Sequence, residues 1–166
     1  MRSPADRRRF LGALVGLTPL LAQARASGEV AIVVHPDNEL VDVSRGELER
    51  IFRVDRERWS DGQRIYLVMQ EEGSFQKRIV LERIYRMTSD ELKRFWLAKI
   101  YRGEMTSFPK TFSSDESILR FVSRVPNAIG FIDAARADRS VKVVSIEGRR
   151  SGQDGYWLRE QPKNER

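Results

Sequence analysis

The chain has 166 residues, with 30 Lys+Arg against 24 Asp+Glu, a formal charge of +6, a single histidine and no cysteine. Absent cysteine excludes disulfides, thiolate metal sites, a catalytic thiol and lipid attachment through an N-terminal cysteine. The lone His35 excludes a multi-histidine metal site and leaves any histidine-dependent triad a single candidate.

In chain order, the first element reads as a leader. Arg7, Arg8 and Arg9 form a positive block, and an apolar run from Phe10 to Leu21 follows, interrupted by Gly12, Gly16, Thr18 and Pro19. That run is shorter than the roughly 20 apolar residues a membrane span needs. Ala24-Arg25-Ala26 places small residues where a signal peptidase reads them, so cleavage is expected after Ala26. Arg7-Arg8-Arg9-Phe10-Leu11 resembles a twin-arginine export signal, which is an address and not an anchor. Residues 1–26 are therefore expected to be a signal peptide and the remainder to be periplasmic. The leader holds five of the 30 basic side chains and one of the 24 acidic ones, leaving an excess of only two positive charges beyond it. The basic balance thus gives little support to nucleic-acid binding, and none is expected.

Val30 to His35 is a β-branched run closed by Pro36-Asp37-Asn38, the pattern of a buried strand. Ser44-Arg45-Gly46-Glu47 has capping-box spacing, and Leu48, Ile51 and Phe52 follow at helical spacing to about Arg53. Trp59-Ser60-Asp61-Gly62 reads as a turn before a strand from Arg64 to Gln70. After the turn Glu71-Glu72-Gly73, Ser74 can cap a helix running to about Arg86. Thr88-Ser89-Asp90-Glu91 is a second capping box, opening a helix with Leu92, Phe95, Trp96 and Ile100 along its buried stripe and Gly103 as its stop. Ser113-Ser114-Asp115-Glu116 reads as a third box, before a stripe of Ile118, Phe121, Val122 and Val125. Strands are expected over Ala128–Ile132 and Val141–Ile146. From Glu147 to Arg166 the chain is polar and is expected to be a flexible tail, with Tyr156-Trp157-Leu158 as the one cluster that could dock. The order β-α-β-α-α-α-β-β predicts an α/β domain over residues 27–146, a sheet covered by helices.

Several pieces resemble the phosphate ABC transporter substrate-binding proteins, and most of all their short single-lobe relatives. Val43-Ser44-Arg45-Gly46-Glu47-Leu48 with Ile51-Phe52 resembles the family's sr-x-eL-x-x-IF helix, and Trp59-Ser60-Asp61-Gly62 with Ile65 its W-x-dG-x-x-I turn. Glu72-Gly73-Ser74 stands where the family has its R-x-x-GSGT loop, and Pro126-Asn127-Ala128-Ile129-Gly130-Phe131-Ile132 resembles PgAIGYv. The resemblance covers roughly residues 30–145. It implies a single periplasmic-binding-protein-like α/β lobe with a mixed sheet flanked by helices. It further implies a non-enzymatic protein that binds phosphate or a similar small oxyanion for an inner-membrane transporter or sensor, with no metal and no cofactor. Its ligand loop maps onto Gln70, Gly73, Ser74, Phe75 and Gln76. A Gly-Ser turn opening a helix suits an anion, because unpaired N–H groups and the positive dipole end meet there.

The loop also departs from the family. The arginine position holds Gln70, the residues after the serine are Phe75 and Gln76, and Glu71 and Glu72 precede the cap. The lost guanidinium removes a bidentate anion clamp. These departures support a second reading, a ligand-free interaction module docking on a membrane receptor, sensor or transporter. A homodimer that rebuilds a two-lobed cleft stays open. His35 at a strand end and Ser74 as a plain helix cap each have structural readings that compete with ligand binding.

Overall fold

The computed structural model describes residues 28–160. The expected leader, its cleavage point after Ala26 and the last six residues lie outside them. Six strands form one mixed sheet: β1 (Val30–Val34), β2 (Asp42–Val43), β3 (Tyr66–Gln70), β4 (Lys110–Phe112), β5 (Ala128–Asp133) and β6 (Lys142–Ile146). Their spatial order is β2-β6-β1-β5-β3-β4. β1 runs antiparallel to both β5 and β6, while β2 with β6, β3 with β5, and β3 with β4 are parallel pairs. Only β1 opposes the others. The helices are α1 (Arg45–Phe52), α2 (Phe75–Val80), α3 (Ser89–Tyr101) and α4 (Asp115–Val122).

The continuous apolar run of β1 follows from its place at the centre of the sheet. All five of its residues are fully buried, as expected of a strand covered on both faces. Alternate residues divide between two cores. Val30, Ile32 and Val34 of β1, Leu67 and Met69 of β3 and Ile129 and Phe131 of β5 join the larger core, with Leu48, Ile51, Phe52, Ile79 and Trp96 from the helices. Ala31, Val33, Val68, Ala128 and Ile132 face the smaller core, closed by Ile118, Leu119 and Val122 of α4. Gly130 lies on that second face. A Cβ there would stand 2.7 Å from Val68 Cγ2 and 3.1 Å from Ile118 Cγ2, so glycine is what lets α4 lie close to β5.

All four helix starts are capped by serine or threonine, as expected, with one shift of register. Ser44 accepts from the Glu47 N–H at 3.2 Å. Thr88 and Glu91 form the full reciprocal box: the Glu91 carboxylate accepts from the Thr88 N–H at 2.8 Å, and Thr88 Oγ1 accepts from the Glu91 N–H at 3.3 Å. At α4 the cap is Ser114, not Ser113, and it accepts from the Ser117 N–H at 3.2 Å. This places Asp115 at the first helical position, free to turn away from the cap. The helix expected from Ser74 to Arg86 is α-helical only to Val80. It continues as a π-helical turn, Leu81–Tyr85, and ends with Arg86 at φ +52°.

Two short strands, β2 and β4, go beyond the expected order. Both are sheet edges of two or three residues. The segment after Ile146, expected as a flexible tail, is packed on the domain as far as Glu160. Tyr156 and Leu158 are fully buried in the larger core. Leu158 O accepts from the Val30 N–H at 2.8 Å, Tyr156 Oη donates to Val30 O at 2.8 Å, and the Glu160 N–H donates to Gly28 O at 2.8 Å. The docked cluster thus satisfies the start of the central strand, which the sheet alone leaves unpaired. Among the described residues no helix is long and apolar enough to cross a membrane.

Candidate functional site

β3, β4 and β5 end side by side at one edge of the sheet, the edge where open α/β folds place their ligands. Gln70 is the last residue of β3 and pairs in register with Phe112 at the end of β4, and the Glu71 N–H donates to Phe112 O at 3.0 Å. Beyond Gln70 the chain turns through Glu71, Glu72 and Gly73. Gly73 has φ +90°, a conformation that favours a residue without a Cβ. Ser74 then caps α2: its Oγ accepts from the Lys77 N–H at 3.1 Å and donates to Glu71 O at 3.4 Å. The first N–H groups of α2, those of Phe75 and Gln76, have no acceptor inside the helix.

The side chains at this edge converge on a residue that sequence reasoning assigned to a helix start. The Gln70 amide nitrogen donates to Asp115 Oδ1. The Gln76 amide nitrogen donates to both carboxylate oxygens, at 3.2 and 3.1 Å, and the Asp133 N–H at the end of β5 reaches Asp115 Oδ2 at 3.4 Å. Gln70 is 2% exposed and Gln76 7%. Burial raises the Asp115 carboxyl above the ordinary aspartate range; the bonds from the Asp133 N–H and from Gln76 oppose that shift, and the neighbouring acids Asp133 and Glu116 add to it.

Of the five loop residues, Gln70 and Gln76 therefore meet at one point, and that point already holds a carboxylate. Ser74 acts as a cap and Gly73 supplies the turn. Phe75 is half-buried and packs against the larger core. Asp115 is a serviceable internal anion: it brings the negative charge and two acceptor oxygens that a bound oxyanion would bring. The one signal for it in the sequence is the serine pair before it, because a cap at Ser114 puts Asp115 one residue past the cap.

His35 lies elsewhere. β1 runs against its neighbours, so its C-terminal end sits at the opposite edge, where His35 Nδ1 accepts from the Asp37 N–H at 3.1 Å and steadies that turn. The Trp-Ser-Asp-Gly turn and the Pro-Asn-Ala-Ile loop also meet at that edge: Trp59 Nε1 donates to Asn127 O at 3.1 Å, and the Tyr66 N–H donates to the same oxygen at 2.9 Å. The arginines near Trp59 serve the surface, Arg56 pairing with Glu47 and Arg53 lying 4.9 Å over the Phe95 ring. Among the described residues no group of three His, Asp or Glu side chains is placed to hold a metal ion.

This architecture, a mixed sheet with one reversed strand and its candidate site at the carboxyl edge, matches the fold of the periplasmic-binding-protein-like lobe expected from the sequence. Solved structures bear this out. The chain superposes on a phosphate ABC transporter substrate-binding protein with bound phosphate from Clostridium perfringens at TM-score 0.58 and 22% identity, over 72% of this chain and 45% of that one. An ABC-type phosphate transport receptor from Vibrio cholerae gives 0.59 and 21%, over 73% and 47%, and PstS from Borrelia burgdorferi gives 0.56 and 14%, over 72% and 47%. The chain thus has the fold of these proteins and spans under half the length of each. No protein-family model matches it, and no curated protein matches its sequence.

Proposed function

We propose that this chain is a non-enzymatic binding module that works outside the cytoplasm and docks on an inner-membrane transporter or sensor, with its own Asp115 carboxylate in the place of a free phosphate. The observation that carries this reading is the convergence of the Gln70 and Gln76 amides on Asp115. A phosphate arriving there meets a half-buried like charge, with Glu71 and Glu72 just before the cap and Gln70 in place of a clamping arginine. The leader-like residues 1–26 support export.

A second reading, reversible capture of phosphate or a related oxyanion at Gln70, Gly73, Ser74 and Gln76, draws on the same geometry. A position built to satisfy a carboxylate with two amides and a backbone N–H is one that accepts an anion once the carboxylate leaves. A melting series with phosphate, sulfate and chloride at matched ionic strength separates the two. A ligand at about a hundred times its dissociation constant adds about 2.7 kcal/mol, a rise of several degrees in a domain of this size. The docking reading predicts the same melting temperature in all three salts up to millimolar concentrations. A rise specific to phosphate establishes the capture reading instead.

A further inference from the structure

Between α2, α3 and the chain leading into β4 lies a cavity of about 440 Å³ that borders Gln70 but is not used by the Asp115 cluster. We propose that this cavity binds a small carboxylate carried on an apolar body, a medium-chain or aryl monocarboxylate, with its head group between Lys77 and Trp96.

A buried donor without a partner and a largely buried lysine without an ion pair carry the assignment. Trp96 is 5% exposed and lines the cavity, and its indole Nε1–H is the one buried side-chain polar atom among the described residues with no hydrogen-bond partner. Buried donors left unpaired are rare, and each asks for an acceptor. Lys77 lines the same cavity, is 4% exposed, and holds its ammonium 5.6 Å from the centre of the Trp96 ring. Among the described residues no carboxylate lies within ion-pair distance of it. The other buried lysine, Lys99, behaves as buried cations ordinarily do, with Asp55 at 2.6 Å and Glu104 at 3.4 Å. Lys77 therefore faces the cavity wall with its charge uncompensated at contact range.

The rest of the lining selects the body of the ligand. Leu92, Leu97, Phe108 and Pro109 make one side of the cavity apolar, and Phe108 packs edge-on against Trp96 with ring centres 5.9 Å apart. Leu97 and Phe108 stay 54% and 45% exposed, an apolar surface that an apolar ligand would cover. The acids at this cavity are Glu71 and Glu72, both exposed, and Glu72 already accepts from Ser89 Oγ at 2.5 Å. They stand at the mouth together with the exposed Lys93, so the charges of the whole lining balance only when Lys77 is counted, and it is the inner wall that presents the donors. A bare inorganic anion would leave the apolar side wet, and an uncharged apolar molecule would leave both donors unpaired. A carboxylate with an apolar body satisfies both. The volume falls in the usual range for small-molecule sites, roughly 300–1,000 Å³. The proposal stands independently of whether phosphate binds near Asp115.

The test is calorimetric titration of the protein with octanoate, with octanol and acetate as the two halves of the ligand. Octanoate should bind with a sub-millimolar dissociation constant, and octanol and acetate at least tenfold more weakly. Lys77→Met keeps the aliphatic stem and should weaken octanoate by about tenfold or more, the range expected for a charge-assisted contact. Trp96→Phe, which removes the N–H and keeps a ring, should weaken it severalfold. No octanoate binding to the unaltered protein, octanol binding as tightly as octanoate, or undiminished octanoate binding by folded Lys77→Met overturns the proposal. Should Lys77→Met fail to fold, the comparison of octanoate with octanol on the unaltered protein decides alone.

Discussion

Replacing Gly130 by alanine adds one methyl group at the tightest contact between α4 and the sheet. The new Cβ would lie 2.7 Å from Val68 Cγ2, 3.1 Å from Ile118 Cγ2 and 3.6 Å from Val122 Cγ2. None of these neighbours is a flexible chain end: all three are β-branched and at most 1% exposed, and β-branched side chains have few rotamers to retreat into. Either α4 moves off the sheet or the side chains leave their preferred rotamers, and overpacking of this kind costs about 1–3 kcal/mol. In a domain of this size that lowers the melting temperature by about 3–10 °C. Gly46→Ala is the internal control. Gly46 lies exposed within α1, and a Cβ there meets nothing within 4 Å; the same chemical change should therefore stabilise by about 0.5–1 kcal/mol through helix propensity. Thermal and urea unfolding of both variants beside the parent read the two signs in one experiment. A Gly130→Ala protein that melts at or above the parent refutes the close packing of α4 on β5.

Other predictions concern the docked C-terminal segment and the Asp115 cluster. Leu158→Ala empties a fully buried position and should cost about 2–5 kcal/mol in urea unfolding, whereas a mobile tail would lose nothing. Tyr156→Phe removes the bond to Val30 O and should cost about 0.5–1.5 kcal/mol. Because burial raises the folded-state Asp115 carboxyl above its unfolded value, the folded protein holds this proton more tightly than the unfolded chain. Asp115 therefore adds stability as pH falls through its folded value toward the unfolded one, about 3.9, and takes that stability away as pH rises. Urea unfolding of the parent against Asp115→Asn should show the difference shifting in favour of the parent between neutral pH and about pH 4. A difference that stays flat or shifts the other way contradicts the half-buried environment of Asp115.

Legibility of the fold tracked how local each cause is. β1 and the apolar part of β5 are continuous apolar runs because both faces of the central sheet are covered, and such runs are visible in a short window. The helix starts at Ser44, Ser74 and Thr88 are legible because a cap and its partner lie three residues apart. β2 and β4 are too short to carry a period, and their pairing with β6 and β3 is wholly long-range. The π-helical turn at Leu81–Tyr85 leaves no mark in a pattern of apolar residues. Tyr156 and Leu158 stand out as apolar residues in a polar stretch, but their partner is Val30, at the other end of the described chain. The candidate site divides in the same way. Gly73 and Ser74 are readable as a turn and a cap, whereas the contact that decides what the site can hold joins Gln70 to Asp115 across 45 positions. Asp115 itself reads as an ordinary acid at a helix start, and the one-residue difference between Ser113 and Ser114 as the cap is what turns it toward Gln70.

The most direct test of the claim that Asp115 occupies the anion position is an NMR titration following the side-chain amides of Gln70 and Gln76 and the Asp115 carboxyl. The account predicts that both amides shift together with Asp115, at an apparent pKa above the ordinary aspartate range, and do not respond to millimolar phosphate. Saturable phosphate shifts at the two amides, with no response as Asp115 titrates, would show that an external anion and not Asp115 is their partner.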